Sequence, residues 1–236
     1  MSELLPEASY LTAAPAASGH GLIDAARSAS RHRLLLRFIA ANMAGVALVG
    51  AAWARGYVDM MLAADATGLT VTICGVFIAG LILAGHRAWR LSLELSALDA
   101  GWAPPESWTA SYLAEVRGGD SGARANTAHT HWLRLTAFLA PVRHVANSLV
   151  LLGLIGTVIG FIIALSGIEP DSVADVHAIS PMVSTLLQGM AVALYTTLVG
   201  AGLNLWLSAN HHILAGGAAE LAVRLSEMAE ADAKSV

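Results

Sequence analysis

The chain has 236 residues, 56% hydrophobic and 13% charged, with a formal net charge of −4 and a mean hydropathy of +0.63. Soluble domains carry about 25% charged residues. The deficit fits either an unusually apolar globule or a protein whose solvent is lipid, and the acidic balance leaves no footprint for nucleic acid. Cys74 is the single cysteine, which excludes an intrachain disulfide framework or thiolate metal site.

In chain order, residues 1–33 read as a disordered cytoplasmic segment. Met1 to His20 is rich in Ala, Pro and Ser, and Glu3 and Glu7 stand where a signal peptide would be basic, so this tail is expected to stay attached. Four apolar blocks follow, at about Leu34 to Trp53, Leu69 to Trp89, Val145 to Ile168 and Met182 to Leu207. Each reaches the roughly 20 residues that cross about 30 Å of hydrocarbon as a helix. A lipid-exposed backbone must satisfy its own hydrogen bonds, so helices are expected. The distribution therefore decides for lipid, and the fold class is an all-α integral membrane protein with four transmembrane helices.

Basic residues give the orientation. Arg27, Arg31, Arg33 and Arg37 precede the first span, and Arg87, Arg90, Arg117, Arg124, Arg134 and Arg143 lie between the second and third. Arg224 and Lys234 follow the fourth, and Arg55 alone falls in an outer loop. The positive-inside rule puts both termini and the central segment of this multi-pass protein in the cytoplasm. Trp53 and Tyr57, then Trp89 and Trp206, suit two aromatic belts. The resulting units are a first hairpin at 34–89, a cytoplasmic helical segment at 90–144, a second hairpin at 145–208 and a cytoplasmic C-terminal helix at 209–236.

Within the central segment, LSLELSAL is amphipathic, ESWTASYLAEVR reads as a short helix and GGDSGARANTAHT as a loop. A helical pattern resumes at Trp132, with a bend expected at Pro141. Ser180 is suited to cap the fourth span, with Pro181 in its first turn. Beyond that span, Ile213, Leu214, Leu221, Val223 and Leu225 suit packing on neighbours.

The third and fourth spans carry the informative residues. Gly156, Gly160 and Ala164 repeat every four residues, and Gly153 stands four before Thr157. A second row runs Thr185, Gly189, Ala193, Thr197 and Ala201, with Gly200 beside it. Such rows let helix backbones approach closely, which in lipid replaces the hydrophobic effect. Ser184, Gln188, Thr196 and Asn204 form a polar row that fits either an ion path or helix–helix contact. No Asp, Glu, Lys or His lies in the middle of a span. An ion-coupled carrier needs a titratable intramembrane group, normally a carboxylate, so such a protein would take its acid from a partner.

At LLGLIGTVIGFIIAL (151–165) and GMAVALYTTLVGAGL (189–203) the sequence resembles the MotA/TolQ/ExbB proton channel family. Members show L-G-L-x-G-T-V-x-G in one span and A-L-x-x-T-x-x-G in the next, and the likeness covers about the last hundred residues. The resemblance implies a homo-oligomeric ring, a pentamer, around a dimeric single-span partner of the MotB/TolR/ExbD type that carries the ion-binding aspartate. It implies no cofactor beyond the transported H+ or Na+. Carried over by position, Thr157, Thr197 and with them Thr196 line the ion path; Ser184 and Gln188 are candidates to face pore or partner. Gly153, Gly156, Gly160, Gly189 and Gly200 are assigned to helix packing. The chain departs from TolQ and ExbB, which keep a glutamate at the position of Val192 and have three spans. Its central segment is shorter than that of MotA.

The histidine pairs His129/His131 and His211/His212 lack helical chelating spacing and companion ligands, and no nucleophile–base set is present, so an enzyme is not expected. Two alternatives stand beside an ion-driven motor: a structural membrane scaffold, and a channel that needs no partner.

Overall fold

The computed structural model describes residues 19–65, 67–100, 107–116, 121–168 and 176–234, with side chains of the first helix described from Arg33 onward. Six helices occur in this part, and no strand is found among the described residues: α1 (Gly19–Ala54), α2 (Tyr57–Ala64), α3 (Leu69–Ala100), α4 (Trp108–Val116), α5 (Ser121–Ser166) and α6 (Val176–Lys234). Four of them are long and apolar enough to cross a membrane. With 46 and 59 residues, α5 and α6 are roughly 70 and 90 Å long at 1.5 Å per residue. Both therefore run far past the roughly 30 Å of hydrocarbon.

The core continues beyond the bilayer. At one end, Leu91, Leu95 and Leu98 of α3 gather with Leu135 and Leu139 of α5, Tyr112 and Val116 of α4, and Leu214, Leu221 and Leu225 of α6. Nearer the middle, Ile73, Phe77, Leu149 and Leu207 join the same cluster. The most extensive contact is between α5 and α6, with α3 laid across both and α1 against α3 and α6.

Local chemistry sets the ends. Gly56 and Gly68 adopt left-handed φ angles of 75° and 69°, a region that costs glycine nothing; they turn the chain on either side of α2. The Asp65 carboxylate accepts the amide of Thr70 at 2.8 Å and that of Thr67 at 3.2 Å, satisfying donors at the start of α3 that have no intrahelical partner. Glu94 of α3 does the same for α4, accepting from Trp108 N at 3.0 Å and from Thr109 N at 3.3 Å. This fixes the short helix to the side of the bundle.

Several expectations are corrected. Helix α1 begins at Gly19, so residues 19–33 are helical and do not belong to an unstructured tail; residues 1–18 lie outside the described part. Ser121 to Thr130, expected as loop, form the start of α5. Buried His131 stacks edge-on against Tyr112 with centroids 4.9 Å apart, so packing on α4 anchors a polar stretch whose own propensity is modest. Helix α5 is continuous through Pro141, as the expectation of a bend inside a helix allows. Helix α6 begins at Val176, five residues before Pro181, so Ser180 is not its cap. Proline there forgoes the bond to the His177 carbonyl, while that of Pro181 itself accepts from Thr185 Oγ1 at 3.1 Å. The fourth span and the C-terminal helix are one element, and in that helix Val223 is exposed, whereas Leu214, Leu221 and Leu225 are buried. Helix α2, between the first two long helices, has no counterpart among the expected elements.

Candidate ion path at the α5–α6 contact

Close approach of two backbones builds this region. A Cβ on Gly160 would fall 2.5 Å from the Gly189 carbonyl oxygen, and one on Gly200 would fall 2.6 Å from that of Leu149. Gly153 faces Thr196, Thr197 and Gly200; Gly156 faces Thr196, with Leu69 of α3 behind it; Gly189 faces Gly160 and Ala164. All five glycines assigned to packing thus stand at this contact. The contacting residues are 153, 156, 160 and 164 on α5, and 189, 193, 196 and 200 on α6. Their spacing mixes threes and fours: three, four and four on α5, and four, three and four on α6. A strict four-residue row leaves the 3.6-residue period by about 40° per step, which is why Ala201, four beyond Thr197, is exposed while Gly200 is buried.

The drift separates the threonines. Thr196 is 1% exposed, and its hydroxyl reaches the carbonyls of Val192 at 2.8 Å and Ala193 at 3.2 Å in its own helix. It fills the space opposite Gly156 inside the chain's own helix bundle. Thr197, next in the chain, stands at the exposed edge of the same contact and meets Thr157 across it, the hydroxyl oxygens 2.7 Å apart. Both hydroxyls also lie 3.1 Å from the carbonyl oxygen of Gly153. Lack of a side chain at Gly153 lets Thr197 of the neighbouring helix come that close.

These three oxygens have a proton deficit. Each hydroxyl supplies one proton. When one donates to Gly153 and the other to its neighbour, both protons are used and lone pairs remain on the exposed edge. The cluster can therefore accept a hydrogen bond from a donor outside it. No titratable side chain of the described span segments takes part in it.

Ser184 and Gln188 are exposed and are not brought to this cluster. Gln188 precedes Thr197 by nine residues, about half a turn around the helix. Val192 is buried, 1% exposed. Asn204 is half-buried, with its Oδ1 3.4 Å from Ser208 Oγ.

Sequence reasoning missed a second polar group. Asn42 of α1 donates to Asn210 Oδ1 of α6 at 2.8 Å and to the Phe38 carbonyl at 2.7 Å. It accepts from Trp206 Nε1 at 3.1 Å and from Asn210 Nδ2 at 3.3 Å. Trp206 is thus turned inward from a belt position, its ring on Phe77 with centroids 5.0 Å apart and filling the place of a Gly45 side chain. The available signal was an asparagine inside the first span, where an amide needs a partner; Asn210, just past the fourth apolar block, gave none of its own.

No similar protein was found among curated proteins, and none among solved structures. The family comparison reaches the hairpin just described. Residues 124–227, nearly all of α5 and α6, match the model of the MotA/TolQ/ExbB proton channel family, ion-conducting energy transducers and not enzymes.

Proposed function

We propose that this chain is the ring-forming subunit of an ion-driven motor in the inner membrane. In this reading it couples ion flow to mechanical work through a dimeric single-span partner that carries the ion-binding aspartate. The observation that supports this most is the Thr157–Thr197 pair: two hydroxyls and a carbonyl on an exposed edge, with a surplus of lone pairs and no acid of their own. Such a wall can receive a proton-bearing carboxyl group or a hydrated ion and pass it on, and it does nothing until another chain brings the titratable group. Several protomers, five in the family's usual ring, would place these edges around a central lumen. The cytoplasmic ends of α5 and α6 then stand where the ring meets other machinery. Proton is the default ion, and sodium also fits an oxygen-only site.

Thr157→Val with Thr197→Val removes both hydroxyls at nearly constant volume. In proteoliposomes holding the chain and its single-span partner, ion flux is expected to fall at least about tenfold, with the assembly intact by native mass spectrometry. Full flux from the double variant, equal flux without the partner, or a purified protein that is only monomeric would each overturn the proposal.

A further inference from the structure

A cavity of about 480 Å3 lies between α1 and α6 at the end of the bundle remote from α2, away from the threonine pair. Arg33 and Arg37 of α1 line one wall, and His212 and Arg224 of α6 the other. Four residues apart, the two α1 arginines project from the same face. Glu220 also lines the cavity and is the ion-pair partner of Arg224. One carboxylate thus offsets one of three guanidiniums and leaves an excess of two positive charges. Arg33 and Arg37 are exposed, and neither meets an acceptor among the described residues.

The floor is apolar and built by two adjacent glycines. At Gly217 a Cβ would fall 2.7 Å from Leu34 Cδ1, so this glycine lets α1 rest on α6. At Gly216 a Cβ would meet nothing within 4 Å, so this one leaves the cavity open. Leu34 and Ile213 complete the floor. In the sequence Arg27, Arg31 and Arg33 precede the apolar block that opens at Leu34, which sets the cavity at the plane where hydrocarbon gives way to headgroups.

Anions held at that plane are phosphodiesters, and guanidinium forks match their oxygens in bidentate fashion. A cationic wall over an apolar floor fits a molecule that is anionic at one end and greasy at the other, which free phosphate is not. We infer that this cavity binds the phosphodiester headgroup of an anionic phospholipid, held by Arg33 and Arg37 on α1 and completed by Arg224 on α6. Bound there, the lipid ties α1 to the hairpin at a second point beyond the Asn42 contact. Arg33 and Arg37 lie outside the family-matched residues 124–227 and the α6 wall lies inside them, so the site joins the hairpin to a helix outside the match.

The test titrates the full-length purified assembly with phosphatidylglycerol, phosphatidylcholine or inorganic phosphate and counts bound lipid by native mass spectrometry. Phosphatidylglycerol is expected to be retained over phosphatidylcholine. Arg33→Gln with Arg37→Gln should weaken it about tenfold or more, at about 1 kcal/mol per arginine near the headgroups. Arg55→Gln, at the opposite end of α1, should leave it unchanged. Gly216→Trp fills the cavity with every charge retained and should weaken the same lipid without lowering the melting temperature. Equal retention of the two lipids, or wild-type phosphatidylglycerol binding by the arginine double variant, would overturn the inference. So would displacement of the lipid by millimolar inorganic phosphate, which would make free phosphate the occupant. Lipid binding is read without ion flux, so failure here leaves the motor proposal standing, and the reverse.

Discussion

The α5–α6 pair and α1 meet the same problem, attachment of an apolar helix to others in lipid, with different chemistry. Between α5 and α6 the backbones touch through five glycines, and hydroxyls sit at the edge of the contact. Helix α1 keeps nearly all the side chains of its apolar stretch on the outside: 6% of that window is buried, against 28% for α3, α5 and α6. What ties it in mid-span is the amide of Asn42, bonded to Asn210 and Trp206. Lipid tails are as apolar as leucine, so neither contact is driven by the hydrophobic effect; dispersion at close range serves one and a desolvated hydrogen bond the other. A backbone contact cannot slide without clashes. A three-residue amide cluster can open while both helices stay whole, so α1 is the part able to move without disturbing the hairpin.

The comparison breaks most visibly at Gly160. Leucine there would drive its Cβ against the Gly189 carbonyl and the Ala193 amide, at 2.5 and 2.6 Å, and backbone cannot step aside as a side chain can. Gly160→Leu is expected to cost about 3 kcal/mol or more and to abolish recovery of the folded protein. Gly202→Leu in α6 and Gly50→Leu in α1, where a Cβ meets nothing within 4 Å, should stay within about 0.5 kcal/mol of wild type. Thermal melting in detergent separates the cases, and a Gly160→Leu protein that melts normally would refute close packing as the bond between these helices.

A smaller effect is expected at Asn42. Asn42→Leu removes the amide cluster and leaves Asn210 without its partner across the helices, at a cost of about 1–2 kcal/mol. Hydrogen exchange should rise through α1 and remain unchanged in α5 and α6, and Trp206 emission should shift as its Nε1 loses its acceptor. Equal loosening of all helices would show that α1 and the hairpin form one unit.

How much could be read beforehand follows the same division. Hydropathy alone disclosed the four spans, because lipid leaves a helix no other way to satisfy its backbone. The glycines and Thr157 and Thr197 were legible as small and polar residues at helical spacing. Which threonine faces which way was not, since a four-residue row and a 3.6-residue helix part company within three turns, and Thr196 rather than Thr197 turned inward. Helix ends outside the bilayer were hidden too. Ser121 to Thr130 carries glycine, asparagine, threonine and histidine and has no strong propensity, and it is helical because of what α4 presents to it. The Asn42–Asn210 pair was beyond reach for another reason: a lone amide in a span announces a need for a partner, and nothing local tells which residue meets it.

The weakest effect sharpens the comparison at the opposite end of the bundle, where α1, through α2, is joined to α3. Burial pushes the Asp65 carboxyl upward, but hydrogen bonds from Thr67 and Thr70 outweigh it and hold the group below its ordinary value. A carboxylate more acidic in the folded than in the unfolded protein stabilises the fold fully above the unfolded pKa. That contribution fades as pH falls through the folded one. Asp65→Ala should therefore cost about 1 kcal/mol at neutral pH, as loss of a cap does, and progressively less as acid protonates Asp65 in the wild type. Melting curves of the two proteins, apart at pH 7, are expected to converge at the acid end of the range. A gap that stays constant with pH would mean that Asp65 acts through shape and not through charge, and that the corner before α3 is held by Gly68 and the Thr67 hydroxyl alone.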